Sequence, residues 1–457
     1  DMPCYLAVIT YADNRDLRKT IYEAWVTRAS EQAPSNKVHD NGPIMQEIVA
    51  KRQEKAKLLG FDNYAEYSLQ TKMASSVVQV LEFLYDLAER SRETALEEVQ
   101  ERQHYAESLG FAGELQAWDY AYYSEKLKQH RYQVSDEDLK PYFADYRVID
   151  GLFEIVARLY GIRITRIDDN IDRWDESVSF YQIEDSSGAI IGQFYLDLYA
   201  RENKRGGAWM DECVNRYCIN GETQLPVAYL TCNLTPPLGD EPALFTHDEV
   251  ITLFHEFGHG MHHLLTRIDV PEVAGINGVE WDAVELPSQF MENYCWEYDA
   301  LLLFARHYQT DAALPRDLYE RMLSARNFQS ALQMLRQIEF SVFDLRLHER
   351  TEVASTDQIQ RLLDEVRAQV SVVDTPPFNR FQNGFSHIFA GGYAAGYYSY
   401  KWAEVLSADA FAAFEEEGIF NPETGARFLQ CILEQGGSRP AMESFRCFRG
   451  RAPDIDA

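Results

Sequence analysis

The sequence has few cysteines, and their spacing shows no pattern that is typical of a functional site. Its 457 residues include seven cysteines, and no two of them have the C-x-x-C spacing. An odd and scattered set of this kind predicts neither a disulfide framework nor a cysteine-built metal site. Scattered free thiols are typical of a reducing compartment, so we expect a cytoplasmic protein.

Long apolar segments and an excess of positive charge are also lacking. No apolar run approaches the length that spans a bilayer, and the first residues lack the basic-then-apolar order of a signal peptide. The formal net charge is −30, which is opposite in sign to the charge of proteins that bind nucleic acid or anionic membranes. We therefore expect no nucleic-acid partner and no membrane partner.

Most of the sequence has the apolar periodicity of helices. The clearest examples are residues 14–30, 43–59 and 75–110. Candidate strands are few, and they are residues 178–183, 189–198 and 227–231. The first two flank a turn sequence at 185–188 and predict a hairpin. We see no repeat or linker, so we predict one mainly α-helical domain over 1–457 with a small β-sheet upstream of the motif described next.

The most informative segment begins with a helix-capping pattern. Thr246 and Glu249 have the spacing of a capping box, and apolar residues recur behind them at helical spacing. His255 and His259 then lie one turn apart on one face, where two imidazoles can hold one tetrahedral zinc ion. Glu256 can reach a water on that ion without ligating the metal itself, which is the position of a catalytic base.

The third ligand of such a site has to come from another segment. His263 lies more than two helical turns beyond His255, so it cannot reach the same ion. We expect His262 and His263 to lie on the helix surface or to line a channel. The position ten residues after His255 is Leu265, so the pattern with three histidine ligands is absent.

A carboxylate from a later element remains the best option for that ligand. The local candidates are Glu272, Glu280, Asp282, Glu285 and Glu292. Asp282 and Glu285 have capping-box spacing, which predicts a second helix from about residue 282 with Pro287 early in it. Glu285 fits best as the ligand, although it could instead only cap its helix. Glu292 lies on a similar face and could hydrogen-bond a ligand imidazole.

A segment rich in glycine and tyrosine occupies residues 385–400. Its paired glycines, at 391 and 392, would let the backbone bend sharply or approach a ligand. Tyr393, Tyr397 and Tyr400 fall at helical spacing, so we predict that they line one face of a helix. Their hydroxyls could stabilise an oxyanion, but the pattern by itself favours a packed aromatic stripe.

Three of these segments together resemble the signatures of the thimet oligopeptidase family of zinc peptidases. They are residues 255–259, 284–289 and 387–400, and the resemblance runs over essentially the whole chain. It implies that His255, His259 and Glu285 bind one zinc ion per chain and that Glu256 is the base. It also implies that His387, Tyr393 and Tyr400 stabilise the transition state.

The resemblance carries further expectations about the substrate. The glycine-rich loop that contains Gly275, Asn277 and Gly278 is expected to bend over a bound peptide. The upstream sheet is expected to pair its edge with an extended peptide. The implied fold is a large helical shell around a deep channel that admits short peptides. The chain starts partway along the family pattern and stops short of its end, so we expect a more open channel if the native protein has this length.

Our first hypothesis is a monomeric, cytoplasmic zinc endopeptidase that cuts short oligopeptides. A near alternative is a dipeptidyl carboxypeptidase of the same family, which would need a fixed cationic group to hold the C-terminal carboxylate of its substrate. A hypothesis of another class is a non-catalytic peptide-binding protein. Glu256 argues against that hypothesis, because binding alone does not need a base.

Overall fold

A computed structural model describes residues 2–33, 39–169, 171–352 and 355–454. The fold is mainly helical with a small sheet, as predicted. The helices are α1 (Met2–Tyr11), α2 (Arg15–Val26), α3 (Gly42–Leu58), α4 (Tyr64–Leu69), α5 (Val77–Ser108), α6 (Tyr120–Tyr132), α7 (Asp136–Leu139), α8 (Asp145–Tyr160), α9 (His247–Leu264), α10 (Leu286–Glu292), α11 (Tyr298–Leu301), α12 (Arg316–Ser324), α13 (Ser330–Glu349), α14 (Thr356–Val370), α15 (Ser386–Phe389), α16 (Ser399–Glu417), α17 (Pro422–Phe428) and α18 (Ala441–Arg449). The strands are β1 (Arg163–Arg166), β2 (Ser179–Glu184), β3 (Ile190–Tyr199), β4 (Trp209–Val214), β5 (Tyr217–Ile219), β6 (Glu222–Gln224) and β7 (Val227–Leu234).

The chain divides into two compact units. The first comprises residues 1–133 and 324–399, and the second comprises residues 134–323 and 400–457. The first unit is built from α1–α6 and α13–α15, with α13 packed along the long helix α5. The predicted helix near residues 75–110 is the single uninterrupted helix α5, which begins where the side chain of Ser76 accepts a hydrogen bond from the Gln79 N–H.

A buried ion pair ties α2 to the start of α6 in the first unit. Arg18 is 2% exposed and Asp119 is fully buried, and an Nη atom of Arg18 lies 2.9 Å from an Asp119 oxygen. Arg15 and the Gln116 N–H donate to the same carboxylate. Burial acts to raise the pKa of Asp119, but these donors outweigh it and hold that pKa below its usual value.

The second unit contains a five-stranded mixed sheet in the order β1-β2-β3-β7-β4. Strands β2 and β3 form the predicted hairpin, and β3 pairs in parallel with β7, the third predicted strand. The edge strands β1 and β4 and the separate hairpin β5–β6 were not predicted. These strands are short or lie mostly outside the core, so they lack the alternation of apolar and polar residues that identifies a half-buried strand.

Helix α9 packs on this sheet through the apolar stripe that the sequence predicts. Phe257 of α9 contacts Phe194 of β3, with ring centroids 5.7 Å apart. Gly260 of α9 lies against Leu230 of β7. The stripe residues are all buried, and they are Val250, Leu253, Phe254, Phe257, Met261, Leu264 and Leu265. The sheet thereby fixes which face of α9 points away from the core.

The expectation of no disulfide is wrong for one pair of cysteines. Cys431 and Cys447 form a disulfide between a π-helical turn (Leu429–Leu433) and α18. Their spacing of 16 residues matches no short motif, so the pairing could not be read from the sequence. Among the described residues, the five other cysteines form no disulfide. Among the described residues, we find no helix with the length and apolar character needed to cross a membrane.

We expect loss of the buried ion pair between Asp119 and Arg18 to destabilise the protein. Substituting Asp119→Asn leaves the buried Arg18 without its counter-charge, so we expect the free energy of unfolding at pH 7 to fall by about 3–5 kcal/mol. The carboxylate has a depressed pKa when folded, so its contribution is present above about pH 4 and is lost as the pH falls through the folded pKa. Urea unfolding at pH 7 and at pH 3 measures both effects.

The matched control is Glu54→Gln, which removes an exposed ion pair with Lys51. That change is expected to alter the free energy of unfolding by less than about 0.5 kcal/mol. Equal losses for the two variants at pH 7 would contradict the role given to Asp119.

Candidate metal centre

The capping box at the start of α9 sets the position of the histidines. The Thr246 hydroxyl accepts a hydrogen bond from the Glu249 N–H at 3.1 Å, and the Glu249 carboxylate accepts from the Thr246 N–H at 2.8 Å. The other carboxylate oxygen accepts from the N–H and hydroxyl of Thr235, which follows β7. From this start, His255 and His259 fall on one face, with ring centroids 5.0 Å apart.

The second helix of the site begins later than the predicted residue 282. Residues 281–285 form turns, and α10 starts at Leu286 with Pro287 in its first turn, where the missing N–H of proline costs least. Glu285 occupies the N-cap position, but its side chain accepts no capping hydrogen bond. The alternative in which Glu285 only caps its helix is therefore wrong.

A close backbone contact between α9 and α10 places Glu285 opposite the histidines. Gly258 of α9 faces the backbone of Pro287 and Ser288, and a Cβ atom at Gly258 would lie 2.4 Å from the Pro287 carbonyl oxygen. Only glycine leaves room for this approach. The Ser288 hydroxyl then donates to a Glu285 carboxylate oxygen at 2.9 Å and holds that side chain in place.

These contacts bring His255, His259 and Glu285 together as a metal-binding site. One Glu285 oxygen lies 3.2 Å from Nε2 of His255 and 3.1 Å from Nε2 of His259. The three ligand atoms all lie within 4.8 Å of one another. Tetrahedral zinc with bonds of about 2.0–2.1 Å separates its ligand atoms by about 3.3–3.4 Å. Both the spacing and the donor set therefore fit a zinc ion.

The charges around the two imidazoles also fit a cation. Glu285 is 1% exposed, and burial acts to raise its pKa, but His259 and His255 hold that pKa well below its usual value. Burial acts to lower the pKa of His255, but Glu285 and Glu292 hold it well above its usual value. With Glu256 alongside, three carboxylates face two imidazoles, and a divalent cation would offset this excess of negative charge.

Glu292 and Glu256 both lie beside the ligand His255. A Glu292 oxygen is 2.6 Å from Nδ1 of His255, so it can orient the imidazole whose Nε2 faces the metal position. Glu256 follows His255 on α9 and is buried. Burial raises the pKa of Glu256, and the two ligand histidines and a backbone hydrogen bond from Met210 of β4 lower it in part. Its Oε2 atom has no hydrogen-bond partner within the described ranges.

The expectation that His262 and His263 lie on the helix surface is wrong, and the alternative, that they line a channel, stays a prediction. Both residues are buried rather than on the helix surface. Burial, with help from the neighbouring His259 and His263, lowers the pKa of His262 to about 3, so this side chain is neutral at physiological pH. His263 packs against Gly275, and its Nε2 lies 3.3 Å from the Val214 carbonyl oxygen. The helix face that carries them is covered, which periodicity within the helix does not reveal.

The tyrosines of residues 385–400 do not share a helical face, which corrects that prediction. Helix α15 ends at Phe389, residues 391–392 form a bend, residues 394–398 form turns, and α16 begins at Ser399. In the first unit, the Tyr393 N–H donates to the His387 carbonyl oxygen at 3.2 Å, and the two rings are 6.1 Å apart. In the second unit, the Gln289 side chain of α10 donates to the Tyr400 carbonyl oxygen at 3.1 Å. The placement of His387 and Tyr393 toward the metal centre stays a prediction.

The glycine-rich loop is held by its own contacts in the second unit. Gly275 and Gly278 have positive φ angles of 60° and 71°, a region that favours glycine. The Asn277 side chain donates to a Glu212 carboxylate oxygen of β4 at 2.8 Å and to the Pro271 carbonyl oxygen at 3.2 Å. The loop therefore lies beside the edge strand of the sheet.

Comparison with known proteins agrees with this geometry. The sequence profile of peptidase family M3 matches residues 8–457. Oligopeptidase A of Salmonella typhimurium is 56% identical over an alignment that covers 100% of this chain and 67% of that protein. Dipeptidyl carboxypeptidase of Escherichia coli is 35% identical, with 97% of this chain and 64% of that protein covered. The solved structure of PZ peptidase A with inhibitor 2 shares the fold, with a TM-score of 0.58 at 16% identity over 98% of this chain and 67% of that one.

The Glu292 contact predicts a change in zinc affinity. Glu292→Gln keeps the size of the side chain but removes the charge that orients His255, so we expect zinc to bind about 10–100-fold more weakly. Competition with a chromophoric chelator measures this dissociation constant. Glu320→Gln, on the exposed face of α12 in the same unit, is the matched control and should bind zinc as the wild type does. Wild-type affinity in the Glu292 variant would contradict the contact's role.

Proposed function

The chain belongs to peptidase family M3 and is a zinc metallopeptidase, and from this premise we propose that it is an endopeptidase that hydrolyses internal bonds of short oligopeptides. The observation that carries the proposal is the cluster of His255, His259 and Glu285 with Glu256 beside it. The similarity of the whole chain to oligopeptidase A favours an endopeptidase over an exopeptidase.

The residues of the site divide the chemistry among them. Zinc held by His255, His259 and Glu285 would polarise the substrate carbonyl and lower the pKa of an adjacent water. Glu256 takes a proton from the attacking water and passes it to the leaving amine, with Oε2 as the atom that has no competing partner in the described chain. Glu292 holds His255 in the orientation that keeps Nε2 toward the ion.

His387, Tyr393 and Tyr400 are proposed to stabilise the oxyanion that forms when the carbonyl is attacked. The support is their place in the segment that resembles the family, together with two backbone contacts. The Tyr393 N–H is bound to the His387 carbonyl, so these two residues are held as one group. The backbone of Tyr400 is bound to Gln289 on α10, the helix that follows Glu285.

The peptide is proposed to lie along the edge strand β4 and under the loop of Gly275, Asn277 and Gly278. Strand β4 is at one end of the sheet, so its outer backbone groups can pair with an extended chain. The backbone of Met210, in β4, hydrogen-bonds Glu256. A peptide paired with β4 would therefore pass close to the base. The contact between Asn277 and Glu212 keeps the loop next to the same strand.

The cellular setting is a further part of the proposal. Five described cysteines outside any disulfide support a cytoplasmic location, whereas the disulfide between Cys431 and Cys447 argues against it. Short peptides are the proposed partners, in agreement with the printed name of the oligopeptidase A relative. A monomer with a single catalytic domain stays a prediction.

An internally quenched peptide of about ten residues with both ends blocked tests the endopeptidase reading. We expect cleavage at an internal bond, loss of cleavage with a chelator and recovery when zinc is added, because the ligands must hold the ion for activity. Fluorescence gives the rate, and mass spectrometry of the products gives the bond. The same peptide with a free C-terminus is the control. Cleavage of the control alone, with release of a C-terminal dipeptide, would establish the dipeptidyl carboxypeptidase alternative instead.

Glu256→Gln separates catalysis from binding. The amide cannot accept the proton, so we expect kcat to fall by about 10²–10⁴-fold while zinc content stays at one ion per chain. Asp248→Asn, an equivalent change at the exposed start of the same helix, should keep the wild-type rate. Equal rates for wild type and Glu256→Gln, with equal peptide affinity, would support a non-catalytic peptide-binding protein.

A further inference from the structure

A carboxylate outside the metal centre is bound by three consecutive backbone N–H groups. Asp344, in α13 of the first unit, is 1% exposed. One of its oxygens accepts from the Ala395 N–H at 2.9 Å, and the other accepts from the Gly396 and Tyr397 N–H groups at 2.8 and 2.9 Å. Successive N–H groups that converge in this way form an anion-binding nest, here filled by a side chain of the protein itself.

A second set of donors orients the same carboxylate. Nδ1 of His348, one turn further along α13, lies 2.9 Å from an Asp344 oxygen and 2.9 Å from the Asp344 carbonyl oxygen. An Arg52 Nη atom lies 3.0 Å from Nε2 of His348. Because arginine can only donate, Nε2 accepts and the proton of a neutral His348 resides on Nδ1. The order of donation is therefore Arg52 to His348 to Asp344.

The backbone segment that Asp344 binds is also held from its other side. The Ser68 hydroxyl donates to the Ala394 carbonyl oxygen at 3.0 Å, and Lys72 donates to the Ser68 hydroxyl at 2.7 Å. Ala395 has a φ angle of 49°, which is in the left-handed region that residues with a Cβ rarely adopt. Such a conformation persists only where the surroundings impose it, and the bonds to Asp344 and Ser68 do so here.

This restrained turn carries Tyr393. The Gly396 N–H donates to Asp344 at 2.8 Å and also lies 3.0 Å from the Tyr393 carbonyl oxygen. On the other side of Tyr393, the Gly391 N–H donates to the Ser386 carbonyl oxygen at 2.7 Å and the Tyr393 N–H donates to the His387 carbonyl oxygen at 3.2 Å. The turn that Asp344 binds therefore holds the Tyr393 carbonyl, and the His387 carbonyl holds the Tyr393 N–H.

We infer that Asp344 is a positioning residue that acts through Tyr393, by binding the backbone turn that follows it. This inference rests on the proposed function, in which Tyr393 stabilises the oxyanion. A buried charge is weak evidence for stability, because an apolar side chain of similar volume often serves as well. The Asp344 carboxylate accepts from three N–H groups, and one of these belongs to a residue with a left-handed φ angle. Such a set of contacts specifies one conformation of the turn.

A double-mutant cycle tests the inference, with Asp344→Asn, Tyr393→Phe and the two combined. In Asp344→Asn one acceptor oxygen becomes an NH₂ group that faces N–H donors, so the turn should shift. We expect kcat for the blocked peptide to fall about 10–100-fold, with KM within about 3-fold and zinc content unchanged. Tyr393→Phe should lose about 10²–10³-fold in kcat. The combined variant should have a kcat within about 3-fold of Tyr393→Phe alone, because both changes remove the same interaction.

Asp119→Asn is the matched control for stability. It removes a buried carboxylate from the same unit, so it should lower the melting temperature as Asp344→Asn does, yet keep kcat within about 3-fold of wild type. If Asp344→Asn does not fold, His348→Gln takes its place. That change weakens one donor to the carboxylate, and about a 3–10-fold loss in kcat is expected, again absent in the Tyr393→Phe background.

The outcomes separate the inference from the proposed function. Losses in kcat that multiply in the combined variant would overturn the inference and leave the role of Tyr393 intact. A wild-type kcat in Tyr393→Phe would remove the proposed role of that residue, and the inference would fall with it. An equal fall in kcat for Asp344→Asn and Asp119→Asn would show a general effect of stability and would also overturn the inference.

Discussion

The buried Glu285 carboxylate between two imidazoles is the interaction on which the site depends. Removing a carboxylate from water is costly unless charge and hydrogen bonds replace the lost solvation. Here the Nε2 atoms of His255 and His259 lie within 3.2 Å of one oxygen, and the Ser288 hydroxyl donates to it. The arrangement needs α9 seated on the sheet, and it needs glycine at 258 so that α10 can approach. The same atoms that satisfy the carboxylate have the spacing of zinc ligands.

Features that depend on neighbouring residues in the sequence were predictable. The capping box of Thr246 and Glu249, the buried stripe of α9 and the hairpin of β2 and β3 all form as expected. Each of these features depends on hydrogen bonds or on side-chain periodicity within a few residues of sequence. The spacing of residues in the sequence is therefore enough to predict it. The histidine pair belongs to the same class, since both side chains lie on one helix.

Features that depend on contacts between distant segments were not predictable from spacing alone. Spacing left Glu285 equally suited to capping and to metal binding, and the resemblance to a family favoured the metal. The start of α10, the burial of His262 and His263, and the disulfide of Cys431 and Cys447 were missed because each depends on how distant elements pack. Asp344 gave no signal in the sequence, because its three donors lie some 50 residues further along the chain.

The geometry assigns one zinc ion to His255, His259 and Glu285. Anomalous diffraction from crystals of the zinc-loaded protein, recorded on both sides of the zinc absorption edge, tests it most directly. We expect a single strong peak with Nε2 of both histidines and a Glu285 oxygen within about 2.0–2.2 Å. A peak held by other residues, or no peak in protein that still cleaves the blocked peptide, would contradict it.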